Sequence, residues 1–534
     1  MLDVLIRNGT VIDGTGARPL RADVAVADGK VVAVRPEIET RAARTIDATG
    51  LTVTPGFIDP HSHSDWSILG NRDAQSTIRQ GVTTEVVGNC GVTYAPLTDG
   101  NAREAGAALA AFGYEGEVDW RSFGELLQRV HGGGTAQNLA WFVGHTALRD
   151  AAGIHGDRVT DDEATRVDRL LDEALDAGAI GLSTGLEYGS GRDATTAELT
   201  RTAARVARHG GLYASHIRNR DAHLGAAVDE FFDVARRTGL RAQLSHLNVR
   251  YDTGAAPDAW ARAVERLDAE REAGLDVLAD ITPYPDGIGL AIGLLPAWLV
   301  ADGPVRAAQR LADPEVRQQL RGDCDRYWRF LHRGQWDRVT LAVSPATPEL
   351  EGLGFPEIAE RLGRDPWDCL FDVLQAAGAD MPAVQLMGRL FTPEHVADAV
   401  EHRLFCLGVD GFTSRTDGVL AARTRHPLFF TGHTHYLTHH VLQRGTLTLA
   451  EAVRKMTSMV ADHFGLADRG RLVPGCHADV AVLDVAVLAE QDTSTYRQGT
   501  YAAGVPHVLV NGVQVVDRGV HLGARAGVHL RRSF

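Results

Sequence analysis

Phe57-Ile-Asp-Pro-His61-Ser-His63-Ser-Asp65 is the stretch from which the rest of the chain can be read. An apolar run, Leu51-Thr-Val-Thr-Pro-Gly-Phe57-Ile58, leads into it and predicts a strand that stops at Pro60. Alternate residues of a strand share a face, so His61 and His63 point the same way. Two imidazoles side by side at a strand end can hold one metal ion. Such a pair is also common as surface or core histidines. What gives it weight is the set of strand ends further along.

Apolar strands end near His61, Cys90, His145, Ser183, His216, His246, Asp280 and Asp410. Helical stretches separate most of them, such as Asp161 to Ala177, Ala194 to His209 and Ala222 to Thr238. Eight strand–helix repeats predict an α/β fold, a TIM-like (β/α)8 barrel whose catalytic groups sit at the C-terminal strand ends. The last two repeats are separated by a long stretch, 290–395, with helical runs and several tryptophans. It reads as an insertion between strands seven and eight, over the active site.

Residues 1–54 hold short strands punctuated by Asn8-Gly9, Asp13-Gly14 and Asp28-Gly29, as turns between strands should be. The far end, 470–534, reads alike: Ala478-Asp-Val-Ala-Val-Leu, then Val508-Leu-Val-Asn511-Gly512 and Val513-Gln-Val-Val-Asp. The two termini are therefore expected to meet in one small β-sandwich domain, with the barrel, 55–469, inserted between them.

At 534 residues the chain is long enough for more than one domain. Its formal net charge of −15 argues against nucleic acid and against an anionic membrane surface. No apolar stretch approaches the roughly 20 residues that span a bilayer. Met1-Leu-Asp-Val-Leu-Ile-Arg-Asn carries charges where a secretory leader would need an apolar core. Cys90, Cys324, Cys369, Cys406 and Cys476 are an odd, scattered set. That suits a reducing cytoplasm rather than a disulfide framework. The only lysines are Lys30 and Lys455. Nothing in the sequence sets the oligomeric state.

The strand ends supply imidazoles at His61, His63, His216 and His246, a thiol at Cys90 and a carboxylate at Asp410. These are the ligand types zinc takes. Each alone has a plain structural reading: cores bury cysteines, and strand-end Asp residues often cap the next helix. Together they are six ligand-type residues at the correct ends of five strands, which a barrel brings into one cup.

With these pieces in hand the sequence resembles the amidohydrolase superfamily, and within it the N-acyl-D-amino-acid deacylases, or D-aminoacylases. The resemblance rests on Pro55-Gly-Phe-Ile-Asp-Pro-His61-Ser-His63-Ser-Asp65, Val86-Val-Gly-Asn-Cys90-Gly, Val143-Gly-His145-Thr-Ala-Leu-Arg149, Gly181-Leu-Ser-Thr-Gly-Leu-Glu-Tyr188, Ser215-His216-Ile-Arg218 and Ser245-His246. It extends to Glu451-Ala-Val-Arg-Lys-Met-Thr-Ser and Arg469-Gly-Arg-Leu-Val-Pro-Gly-Cys-His-Ala-Asp479, and covers nearly all of the chain outside the insertion. It implies that Cys90, His216 and His246 hold one tight zinc. His61, His63 and Asp410 would form a weaker second position, with Asp410 also the general base and acid.

Hydantoinases and dihydroorotases of similar fold bridge two metals through a carboxylated lysine at strand four, and Ala179-Ile-Gly-Leu-Ser-Thr-Gly-Leu-Glu-Tyr188 has none. Superfamily deaminases place a glutamate soon after the strand-five or strand-six histidine; here Ile217-Arg-Asn-Arg and Leu247-Asn-Val-Arg follow. Near the substrate the resemblance thins. Asn248 stands where deacylases have lysine, Thr282 where they have tyrosine, and Tyr188-Gly-Ser-Gly191 where Tyr-x-Pro-Gly is usual. Tyr188, Arg218, Arg250 and Tyr284 are candidates to bind substrate, the two arginines being equally readable as salt bridges. The expected activity is zinc-dependent hydrolysis of a linear amide, an N-acyl-D-amino acid or related N-acyl compound. The alternatives are hydrolysis of a cyclic amide or a peptide-like natural product, and a non-catalytic metal-binding scaffold.

Overall fold

Eight parallel strands form the centre of the computed structural model. In chain order they are β1 (Phe57–Asp59), β2 (Val82–Val87), β3 (Asn138–Gly144), β4 (Gly181–Gly185), β5 (Leu212–His216), β6 (Arg241–Leu244), β7 (Val277–Ile281) and β8 (Phe405–Leu407). Each pairs in parallel with the next. The structure describes residues 1–532 apart from 251, 252, 324, 325 and 467, so Cys324 lies outside the described residues.

The strands are apolar because parallel strands covered by helices are buried on both faces. Every residue of β2 and β3 is buried. The helices Asp161–Ala177, Thr196–Arg208 and Leu224–Thr238 match the expected stretches. Thr160 caps the first of them in a reciprocal box with Glu163, which supplies two of the backbone partners a helix start lacks.

The sheet closes where the chain leaves β1 and β8. The Asp410 N–H donates to the His61 carbonyl at 2.9 Å, and the His63 N–H to the Gly411 carbonyl at 2.6 Å. The residues that close the barrel are thus candidate ligands themselves. Gly408 lies in this seam: a Cβ there would meet His61 Cβ at 2.7 Å and Asp280 Oδ1 at 2.8 Å.

The termini meet as expected. Thr52–Pro55 pairs in parallel with Leu2–Val11 and antiparallel with Val480–Leu483, within one nine-stranded sheet. Side chains alternate across it with the strand period of two. Val4, Ile6, Val24, Val26, Val53, Val480 and Val482 share one core, and Leu5 and Ala25 pack on the other side with Ile38. Between β7 and β8 a three-stranded antiparallel sheet forms from Asp286–Leu290, Gln385–Arg389 and Val339–Val343, in that spatial order. Among the described residues no helix is long and apolar enough to cross a membrane.

Candidate metal centre

The seam between β1 and β8 assembles half of the centre. His61 Nε2 lies 3.2 Å from Cys90 Sγ and 3.4 Å from Asp410 Oδ1. His63 Nε2 lies 3.1 Å from the same carboxylate oxygen. Cys90 Sγ lies 3.5 Å from His246 Nε2. Two ligand groups result, His61–His63–Cys90–Asp410 and Cys90–His216–His246, each with its ligand atoms within 4.8 Å of one another. Cys90 belongs to both. All six side chains predicted as ligands are therefore brought together, five of them buried and Asp410 partly so.

The backbone is bent to do this. Cys90, His246 and Asp410 adopt positive φ of 55°, 34° and 58°, a region that side chains other than glycine rarely occupy. Each follows a strand end by a few residues, and the left-handed turn aims the side chain inward rather than along the strand. Such strain persists only where surrounding structure holds it, and it collects at functional sites. Gly185 allows the close approach: a Cβ there would lie 2.1 Å from the Cys90 carbonyl.

Carboxylates hold the histidines from behind. Asp280, buried at the end of β7, accepts from His61 Nδ1 at 3.1 Å, from the His246 N–H at 2.8 Å and from Gln243 Nε2 at 2.7 Å. A proton on His61 Nδ1 leaves Nε2, the nitrogen facing Cys90, as the ligand atom, and such second partners orient metal-binding imidazoles. Glu187 lies 2.8 Å from His216 Nε2 and is itself paired with Arg250 and, at 3.4 Å, with Arg220. Arg220 Nη1 also lies 3.1 Å from His246 Nδ1.

Burial alone would raise the Asp410 and Cys90 groups, but the charge of the neighbouring His61, itself raised well above the usual imidazole value, holds both well below their ordinary values. Burial would likewise lower His63; hydrogen bonds to Asp410 and Cys90 override it and raise the imidazole to about 10. His246 is pushed down to about 4 by burial, Arg220 and His216. Glu187 is kept well below the carboxylate range against its burial by Arg250, Arg220 and His216. The centre thus favours a thiolate and an ionised Asp410. Thiolate, imidazole and carboxylate together fit zinc. The His63 Nδ1 is buried with no hydrogen-bonding partner among the described residues.

The four candidate substrate contacts lie in different settings. The Tyr188 hydroxyl donates to the Cys90 carbonyl at 3.2 Å and stands 3.4 Å from His216 Nδ1, beside the ligands. Arg218 pairs with Glu230 at 2.9 Å and donates to the carbonyls of Arg192 and Ala194. Arg250 is buried against Glu187. The Tyr284 hydroxyl donates to the Thr493 carbonyl at 2.7 Å, and its ring stacks on His435. The amide atoms of Asn248 and Thr282 Oγ1 are buried with no hydrogen-bonding partner among the described residues. His145, another strand-end histidine, faces Glu198 at 3.2 Å instead of the centre. Sequence reasoning passed over Glu187 and Arg220, and took Asp280 only as a strand end. Their one signal was position, beside Tyr188, beside Arg218 and at the end of β7.

Comparison with known proteins agrees with this geometry. The model of the amidohydrolase family matches residues 44–516. The N-acyl-D-glutamate deacylase of Alcaligenes xylosoxydans xylosoxydans is 35% identical over 524 residues, 96% of this chain and 93% of that protein. The D-aminoacylase of the same organism is 32% identical, over 99% of this chain and 98% of that protein. The crystal structure of N-acyl-D-glutamate deacylase from Bordetella bronchiseptica, complexed with zinc and a phosphonate mimic of the tetrahedral intermediate, superposes with a TM-score of 0.80 at 31% identity. That likeness covers 99% of each chain. A barrel with ligands at its strand ends, a matching family model and relatives aligned almost end to end converge: this chain belongs to the amidohydrolase family.

Proposed function

We propose that the protein is a zinc-dependent hydrolase of linear amides that removes the acyl group from an N-acyl-D-amino acid or a related N-acyl compound. The observation that carries this is the position of Cys90, 3.2 Å from His61 and 3.5 Å from His246, with Asp410 alongside. In this reading Cys90, His216 and His246 hold one tight zinc, and His61, His63 and Asp410 offer a weaker second position. Zinc bound there supplies Lewis acidity to the amide carbonyl and to a water molecule. Asp410, held ionised by its imidazole neighbours, takes the proton of the attacking water and passes it to the leaving nitrogen. Asp280 and Glu187 fix the rings of His61 and His216. Tyr188, against Cys90 and His216, is the best placed of the four candidates to touch substrate.

The unit 1–54 with 470–534 serves as a support for the barrel, 55–469, and 290–395 covers its mouth. The protein works in the cytoplasm on a small molecule. Arg218 pairs with Glu230 and Arg250 with Glu187, and Asn248 is uncharged, so a substrate carboxylate bound here would share a guanidinium with one of those glutamates. Turnover of a panel of N-acyl-D- and N-acyl-L-amino acids and cyclic amides, with zinc content measured alongside, tests this. Release of the acyl group from a D-amino acid supports it, whereas turnover of cyclic amides alone would refute it.

A further inference from the structure

His435, His439 and His440 form a third group of metal-ligating side chains, with one nitrogen of each within 4.8 Å of the others. It shares no residue with the centre described above. The helix Leu428–His435 runs on as a π-helix over Tyr436–Gln443. In an α-helix, residue i+4 shares a face with i, while i+5 swings away. The wider π turn closes on i+5, and such turns recur at functional sites. Here it brings both His439 and His440 one turn beyond His435. The rings of His435 and His439 stack at 5.0 Å, 6° from parallel, and His440 stands edge-on to both at 5.6 and 4.8 Å.

The outer nitrogens are anchored. His435 Nδ1 lies 2.8 Å from Thr493 Oγ1, and His440 Nε2 donates to the Pro283 carbonyl at 2.9 Å. A carbonyl only accepts, so His440 carries its proton on Nε2 and a lone pair on Nδ1. That Nδ1 is buried with no hydrogen-bonding partner among the described residues. His440 and His435 are each 3% exposed, whereas His439 is half-buried and leaves the group open on one side. One ring nitrogen tied to a carbonyl or hydroxyl and the other turned inward is how ligating imidazoles are held.

We propose that His435, His439 and His440 bind one transition-metal ion of the class that imidazole prefers, zinc foremost, with water completing its coordination. The ion joins the helix after β8 to Pro283 in the loop after β7 and to Thr493 near the C-terminal sheet. It also sets His435 against Tyr284, whose ring stacks on it at 4.0 Å. Its role is to position that loop, and it takes no part in the proton transfers assigned to Asp410.

Calorimetric titration of zinc into the holoenzyme tests the proposal. One binding event should weaken by roughly tenfold or more in His440→Gln and in His439→Gln. The half-buried His439 makes the second variant the safer one to fold, and its turnover without added zinc should equal the parent's. Any event at the weak position beside Asp410 should persist in both variants and vanish in His61→Asn. Titrations of His439→Gln and His440→Gln that both superimpose on the parent's would overturn the proposal.

Discussion

His61 Nε2 lies 3.2 Å from Cys90 Sγ. That contact ties the neighbouring strand ends of β1 and β2, and Cys90, which belongs to both ligand groups, carries the connection on to His216 and His246. His61 is fixed from behind by Asp280, and Cys90 by its left-handed backbone and by Gly185 beneath it. Neither ligand depends on the other for its position, so replacing one should leave the other in place.

Asp410→Asn should keep the fold and most of the tight zinc. The amide cannot take up the proton a carboxylate takes, so turnover should fall by about a thousandfold or more. Steady-state kinetics with zinc analysis checks it; near-parent turnover removes Asp410 from the chemistry.

Arg218 and Arg250 should separate cleanly. Arg218 pairs with Glu230 near the surface, so Arg218→Met should change stability by about 1 kcal/mol or less. Arg250 is buried against Glu187, and Arg250→Met leaves that carboxylate short of a partner, at a cost of about 3 kcal/mol. Denaturant unfolding reads both. An Arg250→Met variant of parent stability but raised KM for acidic substrates would instead make it a substrate contact.

Stability should fall as the solution is acidified from pH 7 to 5. Burial pushes His131, His426 and His433 down to about 3 from an ordinary value of 6.5. Above 6.5 they are neutral folded or unfolded; below it only the unfolded chain binds their protons. Each therefore removes up to about 1.4 kcal/mol per pH unit until the folded value is reached. Thermal unfolding at several pH values measures this, and a midpoint flat across that interval would contradict it.

The strand ends and the long helices could be read in advance because each rests on local patterning. β5 ends at His216, and Asp161–Ala177 begins after the Thr160 cap. The six ligands were legible for the same reason, being the residues at those ends. The fate of Arg218 and Arg250 was not legible. A long cationic side chain chooses among carboxylates that chain tracing alone brings near, and Glu187 meets Arg250 across 63 positions. The π turn at Tyr436–Gln443 was not legible either, since α and π turns draw on the same residue types and differ only in which carbonyl each N–H reaches.

Zinc content and turnover of Cys90→Ala, compared with the parent, test the central claim most directly. Cys90 is the one ligand shared by both groups. Its loss should lower bound zinc by about one equivalent per chain and abolish hydrolysis, because carbonyl polarisation and water activation both depend on that ion. A Cys90→Ala protein that keeps the parent's zinc and turnover would contradict the account, and would return Cys90 to the role of a packed core thiol.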